Sequence, residues 1–104
     1  WHQEAKRVYD FVRGLSPYPG AWCEVEEEGK KAAVMKIYKT AKTSRTVQPG
    51  TPAGTVETEH GHMYIAATDY WLEIAELQMA GKKRMTARDF LNGFKGGMKV
   101  KVDF

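Results

Sequence analysis

A single cysteine, Cys23, stands among 104 residues, so no disulfide forms within the chain and a disulfide-stapled secreted scaffold is excluded. A reducing cytosol is the natural setting, and a cytoplasmic location is expected. No apolar stretch approaches the length of a membrane-spanning helix, and no basic-then-apolar leader opens the chain, so no membrane partner and no secretory signal are expected. The chain also lacks an initiator methionine and runs from Trp1 straight into a helical pattern. That start suggests a piece of a longer protein, although a processed terminus would look the same. The length bounds the fold to one domain, residues 1–104, with one modest core.

Chemistry-bearing side chains are equally scarce. The histidines are His2, His60 and His62. His60 and His62 flank a glycine, and on a continuous strand they would share a face near Glu57 and Glu59. That spacing fits no standard zinc pattern, and His60-Gly61 reads more readily as a turn. Ser16 and Ser44 have no His or Asp companions at suggestive spacing. Cys23, beside Trp22, reads as a small core residue rather than a nucleophile. The glycines from Gly93 to Gly97 lack phosphate-loop spacing. No catalytic residue and no metal site are therefore expected.

What is present is periodicity. Ala5, Val8, Tyr9 and Val12 fall at i, i+3, i+4 and i+7, predicting a helix over about 3–13, with Gly14 as its C-terminal cap and Pro17 barring continuation. Trp1 is placed to cover the helix start. Residues 22–26 and 32–40 read as a hairpin across Glu27-Glu28-Gly29-Lys30, with Ala33, Met35 and Ile37 on one face and Val34, Lys36 and Tyr38 on the other. Thr40 to Gly54 reads as a long loop. Residues 54–59 and 62–68 form a second hairpin across His60-Gly61, and 70–77 another strand. Thr86-Ala87-Arg88-Asp89 resembles a capping box opening a short helix over 87–94, closed by Gly96-Gly97. Met98, Val100, Val102 and Phe104 alternate with Lys99, Lys101 and Asp103, marking a last half-buried strand. Together these elements predict a mainly β fold, a small closed or nearly closed antiparallel barrel with an N-terminal helix and a short helix before the last strand.

The net charge of +3 conceals segregation. From Lys30 to Val56 there are six basic residues and no acid; from Glu57 to Leu77, five acids and no base; from Gln78 onward, seven basic residues against two acids. Two basic blocks brought together would form an anion-binding patch, whereas blocks scattered over the surface would serve only as solubilising charge. Lys82-Lys83-Arg84, read alone, fits a solvated turn better than a phosphate contact.

Residues 13–22 read Arg-Gly-Leu-Ser-Pro-Tyr-Pro-Gly-Ala-Trp, a rigid turn, and residues 77–91 read Leu-Gln-Met-Ala-Gly-Lys-Lys-Arg-Met-Thr-Ala-Arg-Asp-Phe-Leu. With Pro49-Gly50 and Gly54-Thr55-Val56, these runs resemble the C-terminal domain of methionyl-tRNA formyltransferases, over roughly Trp1 to Gly93. The resemblance implies an oligonucleotide-binding-like barrel. It implies an accessory role in translation initiation, in which the whole enzyme formylates initiator methionyl-tRNA with 10-formyltetrahydrofolate. The family's catalytic Asn, His and Asp lie in an N-terminal folate-binding domain and have no counterpart here, so this domain is expected to hold no cofactor and to be inactive alone. Its expected partners are the initiator methionyl-tRNA and that catalytic domain, and it is expected to be a monomer. With the resemblance, Lys82, Lys83 and Arg84, helped by Lys36, Lys39, Lys42 and Arg45, become the expected contacts to the tRNA backbone. Base stacking on Trp22, Trp71, Tyr38, Tyr64 or Tyr70 ranks behind phosphate contact, because a structured RNA is read mostly through shape and backbone. Tyr18 and Trp22 are expected to pack the Pro-rich turn. Two other readings stay open: the same barrel in another folate-dependent formyltransferase, acting on a nucleotide sugar or linked to a dehydrogenase, and a structural barrel that docks a catalytic domain.

Overall fold

A computed structural model describes residues 1, 3–15, 21–27, 33–93 and 98–102, with backbone alone at 27, 93 and 98–102. In chain order the elements are α1 (Ala5–Leu15), β1 (Ala21–Glu27), β2 (Ala33–Thr46), β3 (Val56–Glu59), β4 (His62–Ala66), β5 (Tyr70–Met79), β6 (Met85–Thr86), α2 (Ala87–Gly93) and β7 (Met98–Val102). All the strand pairs are antiparallel, in the order β3-β4-β5-β2-β1-β7, with the short β6 added to β5. The mainly β architecture, the N-terminal helix and the short helix before the last strand are as the sequence predicts. Of the closed and nearly closed forms expected, the closed one is not found, and the sheet is barrel-like only loosely. β3 and β7 approach to within 8 Å between Cα atoms but share no ladder. β3 is four residues long, and its Glu57, Thr58 and Glu59 are solvent-exposed, so a ladder there would bury little apolar surface.

The second correction concerns Thr40 to Gly54. β2 continues through that stretch to Thr46, pairing Thr40 with Ile74, Ala41 with Glu73, Lys42 with Leu72 and Thr46 with Tyr70. Threonine suits a pleated strand, and the partners on β5 outweigh the loop-like local composition. Midway, the apolar period slips by one residue in both strands together. On β2 the buried residues are Met35, Ile37 and then Thr40; on β5 they are Leu72, Ile74 and then Leu77 and Met79. The register shifts at Lys39, so the slip is a bulge that bends the two strands without turning either inside out.

α1 buries Ala5, Val8 and Val12 against the sheet and runs one residue past Gly14, which lies inside the helix rather than capping it. Its N-terminus is sealed from a distance. The Ala5 N–H donates to Asp69 Oδ1 at 2.8 Å, the same oxygen accepts from the Tyr70 N–H at 2.8 Å, and the Thr68 N–H donates to the Gln3 carbonyl at 3.0 Å. Asp69, in the β4–β5 turn, is thus the cap that local sequence does not supply. Trp1, expected to cover the helix start, lies buried in the core cluster with Ala5, Val8 and Val12 of α1. At α2 the predicted cap holds, with the Asp89 N–H donating to Thr86 Oγ1 at 3.2 Å. The Pro-rich turn, the Glu27–Lys30 turn and Gly96-Gly97 fall partly or wholly outside the described residues. Trp22, expected to pack that first turn, is 49% exposed.

His60-Gly61 is the expected turn. Both residues have positive φ, 48° and 81°, joining the paired residues Glu59 and His62 in a two-residue hairpin. His62 Nδ1 lies 2.5 Å from Glu73 Oε2 across the sheet, while His60 points out beside Glu59. Among the described residues no helix is long and apolar enough to cross a membrane.

Two substitutions test this account by urea unfolding. Ile37→Ala, in the fully buried centre of β2, is expected to cost about 2–5 kcal/mol. Asp69→Ala is expected to cost about 0.5–2 kcal/mol through loss of the α1 cap, and Asp69→Asn, which keeps a side-chain acceptor, markedly less.

Candidate nucleic-acid interface

Directly paired residues of an antiparallel sheet point to the same face. Cys23, Met35 and Met79 form one such row and are buried. The adjoining row therefore faces outward, and it consists of Trp22 on β1, Lys36 on β2 and Gln78 on β5. Tyr38, two residues beyond Lys36, shares this face, and its hydroxyl donates to Gln78 Oε1 at 2.6 Å. Gln78 Nε2 in turn donates to the Lys82 carbonyl at 2.8 Å, so one side chain ties β2 to the turn after β5. Gly81 takes a φ of 76° there, and the Lys82 N–H donates to the Met79 carbonyl at 3.0 Å. That reversal presents Lys82 and Lys83 to solvent and returns the chain so that Arg84 lies over Tyr38, 4.4 Å from its ring centroid. Glu76 Oε1 fixes the guanidinium, accepting from Arg84 Nε at 3.0 Å and Nη2 at 2.9 Å.

The two basic blocks thus meet around Gln78, where Lys36 comes together with Lys82, Lys83 and Arg84. Among the described residues the ammonium groups of Lys36, Lys82 and Lys83 have no ion-pair partner. Exposed Lys82 and Lys83 and half-buried Lys36, free of carboxylates, suit contact with a phosphate backbone, since each neutralised phosphate releases counterions.

The other candidates lie elsewhere. Lys39 lies within the bulge and lines an open cleft of ≈ 340 Å³ between α1 and β2, together with Tyr9, Val12, Arg13, Tyr38 and Thr40. Lys42 reaches the same helix, its Nζ 4.8 Å from the Tyr9 ring centroid. Arg45 sits toward the far end of β2, 4.6 Å from the centroid of buried Trp71 and 5.5 Å from that of Tyr64, and it is ion-paired with Glu57. Seven cations on one face do not form. Four gather at Gln78, two line α1, and Arg45 covers an aromatic pair. Sequence reasoning missed Gln78 and Arg13. Nothing in local composition marks a glutamine as a bracket between strands, although the alternation of Lys36 with Tyr38 already placed those two on one face.

Fold and surface define a small β module that displays basic and aromatic side chains from one side of its sheet. Comparison with known proteins gives the family: the profile described as "Formyl transferase, C-terminal domain" matches residues 1–95, and the chain belongs to that family. Among similar proteins, the methionyl-tRNA formyltransferase of Parabacteroides distasonis is 48% identical over 96 residues, 91% of this chain and 29% of the relative. That of Bacteroides thetaiotaomicron is 43% identical over 97 residues, 91% of this chain and 29% of the relative. That of Phocaeicola vulgatus is 38% identical over 104 residues, 99% of this chain and 32% of the relative. The chain therefore spans less than a third of the length of the curated relatives it matches.

The contrast between engaged and disengaged cations is measurable. Arg45→Gln removes a cation from two rings and from Glu57, and is expected to lower stability by about 0.5–1 kcal/mol. Lys82→Gln removes no intramolecular partner and is expected to change stability by less than about 0.5 kcal/mol. Urea midpoints of the two variants check both values.

Proposed function

We propose that this chain is the RNA-facing accessory domain of a methionyl-tRNA formyltransferase, and that its task is to hold the initiator methionyl-tRNA while a separate catalytic domain transfers the formyl group from 10-formyltetrahydrofolate. The observation that carries the reading is the convergence of Lys36 and the Lys82–Arg84 turn around Gln78, which joins two sequence-distant basic blocks. The names of the similar proteins support it, since those compared above are methionyl-tRNA formyltransferases.

In this role Lys36, Lys82 and Lys83 meet backbone phosphates, and Arg84, held flat on Tyr38 by Glu76, presents the remainder of its fork to a further phosphate oxygen. Such contacts position an RNA without reading its sequence, as befits a structured stem whose base edges lie deep in the A-form groove. Trp22 offers an apolar surface beside Lys36 for sugar or base. The chemistry falls to the catalytic domain in the cytoplasm, because the family's catalytic Asn, His and Asp have no counterpart in this sequence.

Filter binding or fluorescence anisotropy with methionyl initiator tRNA tests the proposal. The isolated chain is expected to bind in the non-specific range of about 10⁻⁴–10⁻⁶ M, with affinity falling steeply as salt rises. Replacing Lys82, Lys83 and Arg84 together by Glu is expected to weaken binding and to reduce the salt slope by about 1 per lost contact. A triple variant indistinguishable from the parent across the titration would refute the proposal. The chain supplied with 10-formyltetrahydrofolate and methionyl-tRNA is expected to give no formyl product.

A further inference from the structure

The cleft between α1 and β2 lies beside the Gln78 cluster and has a different composition. Its floor includes Thr40, the one polar residue in the described core, 7% exposed. Among the described residues the Thr40 hydroxyl makes no hydrogen bond, and its oxygen is not fully enclosed although the residue is buried, so it is open to a partner from the cleft that Thr40 lines. Around it stand Lys39 and Arg13, with Lys42 at the rim. Arg13 Cζ and Lys42 Nζ lie 5.6 Å and 4.8 Å from the same Tyr9 ring centroid, so two cations converge on one phenol while Lys39 approaches from the strand. The only described carboxylate paired with any of the three is Asp10, at 3.3 Å from exposed Arg13. Cations that share one cleft with an unbonded hydroxyl make its surroundings favourable to an anion.

We propose that this cleft is a phosphate subsite, occupied by a single backbone phosphate of the bound RNA and distinct from the contacts made by Lys36 and the Lys82–Arg84 turn. The proposal rests on the RNA-binding reading above. The Thr40 hydroxyl donates to one phosphate oxygen at the floor, Lys39 and Arg13 donate to the others, and Lys42 adds charge from the rim. Tyr38 joins the two sites. Its ring carries Arg84, its hydroxyl is held by Gln78, and it also lines the cleft. Tyr38 is thus the residue that an RNA strand touching both Arg84 and the cleft would share. A second, deeper contact of this kind fixes the direction of the strand across the sheet, which a flat patch of lysines cannot do. The cleft volume of ≈ 340 Å³ admits a phosphate with part of its sugar.

The test uses the 104-residue chain, amide NMR and tRNA binding. Titration with inorganic phosphate and with adenosine 5′-monophosphate is expected to shift the amides of Tyr9, Arg13, Lys39 and Thr40, in the parent and in the Lys82/Lys83/Arg84→Glu variant alike. Lys39→Gln and Thr40→Val are each expected to weaken these shifts and to lower tRNA affinity roughly tenfold, the scale of one charge-assisted hydrogen bond. Thr40→Ser, which keeps the hydroxyl, is expected to bind as the parent does, and thermal unfolding of each variant separates lost binding from lost folding. Lys39 is exposed, so its replacement reports on binding even where Thr40→Val disturbs the core. If Lys39→Gln and Thr40→Val bind tRNA like the parent while the triple Glu variant does not, the subsite is refuted and the RNA-binding reading stands. If small phosphates shift the cleft amides and no variant alters tRNA binding, the cleft serves free phosphate compounds and its assignment to RNA is overturned. If neither phosphate shifts any cleft amide, the proposal is overturned outright.

Discussion

Along the ladder from Met35–Met79 to Thr46–Tyr70, β2 and β5 bring together the two halves of the chain, and every other element is placed by reference to that pairing. β1 and then β7 extend the sheet from β2, β4 and β3 extend it from β5, and α1 lies mainly on β2. The inner row of this ladder is apolar through Met35, Ile37, Leu77 and Ile74, whose burial from water supplies the driving force. The outer row is where the surface chemistry arises. Lys36 comes from one basic block, and Gln78 leads directly into the other, so the register that buries Met35 against Met79 is the register that joins the cations. A slip of one residue would turn the core outward and separate Lys36 from Gln78 in the same step.

The bulge at Lys39 has a similar double effect. By shifting both strands together it keeps Thr40 and Ile74 inward after Ile37 and Leu77. It also brings Lys39, which plain alternation would point inward with Met35 and Ile37, out to the cleft beside α1. The acidic block is distributed with equal economy. Glu57 meets Arg45, Glu73 meets His62 and Glu76 meets Arg84, so three of its five carboxylates have partners across the sheet.

Much of this was legible in the residues. The apolar stripe of α1, the His60-Gly61 hairpin and the Thr86 cap are local signals, carried by spacing or by one turn of chain, and each appears where the sequence places it. What could not be read was decided by partners far along the chain. Thr40–Thr46 has the composition of a loop and becomes a strand because β5 offers it a ladder. Gly14 looks like a helix end and is not, since packing against β2 carries the helix to Leu15. Alternating strands announce a curled sheet, but whether its edges meet depends on how short β3 is and on what it exposes. At the candidate interface, charge segregation along the chain is plain from the residues, but where the blocks meet is not. Only the pairing register could say that Lys36 joins the Lys82–Arg84 turn while Arg45 stays with Glu57, Tyr64 and Trp71.

The cap that Asp69 places on α1 spans sixty-four positions of sequence. An eleven-residue helix is marginal on its own, because nucleation costs more than so few hydrogen bonds return. Its first turn acquires an acceptor only after the β4–β5 turn has formed and carried Asp69 into place. The helix therefore takes its first-turn acceptor from the sheet, and docking there holds it more than its own hydrogen bonds do. Without that docking the cleft beneath Tyr9 would have only one wall.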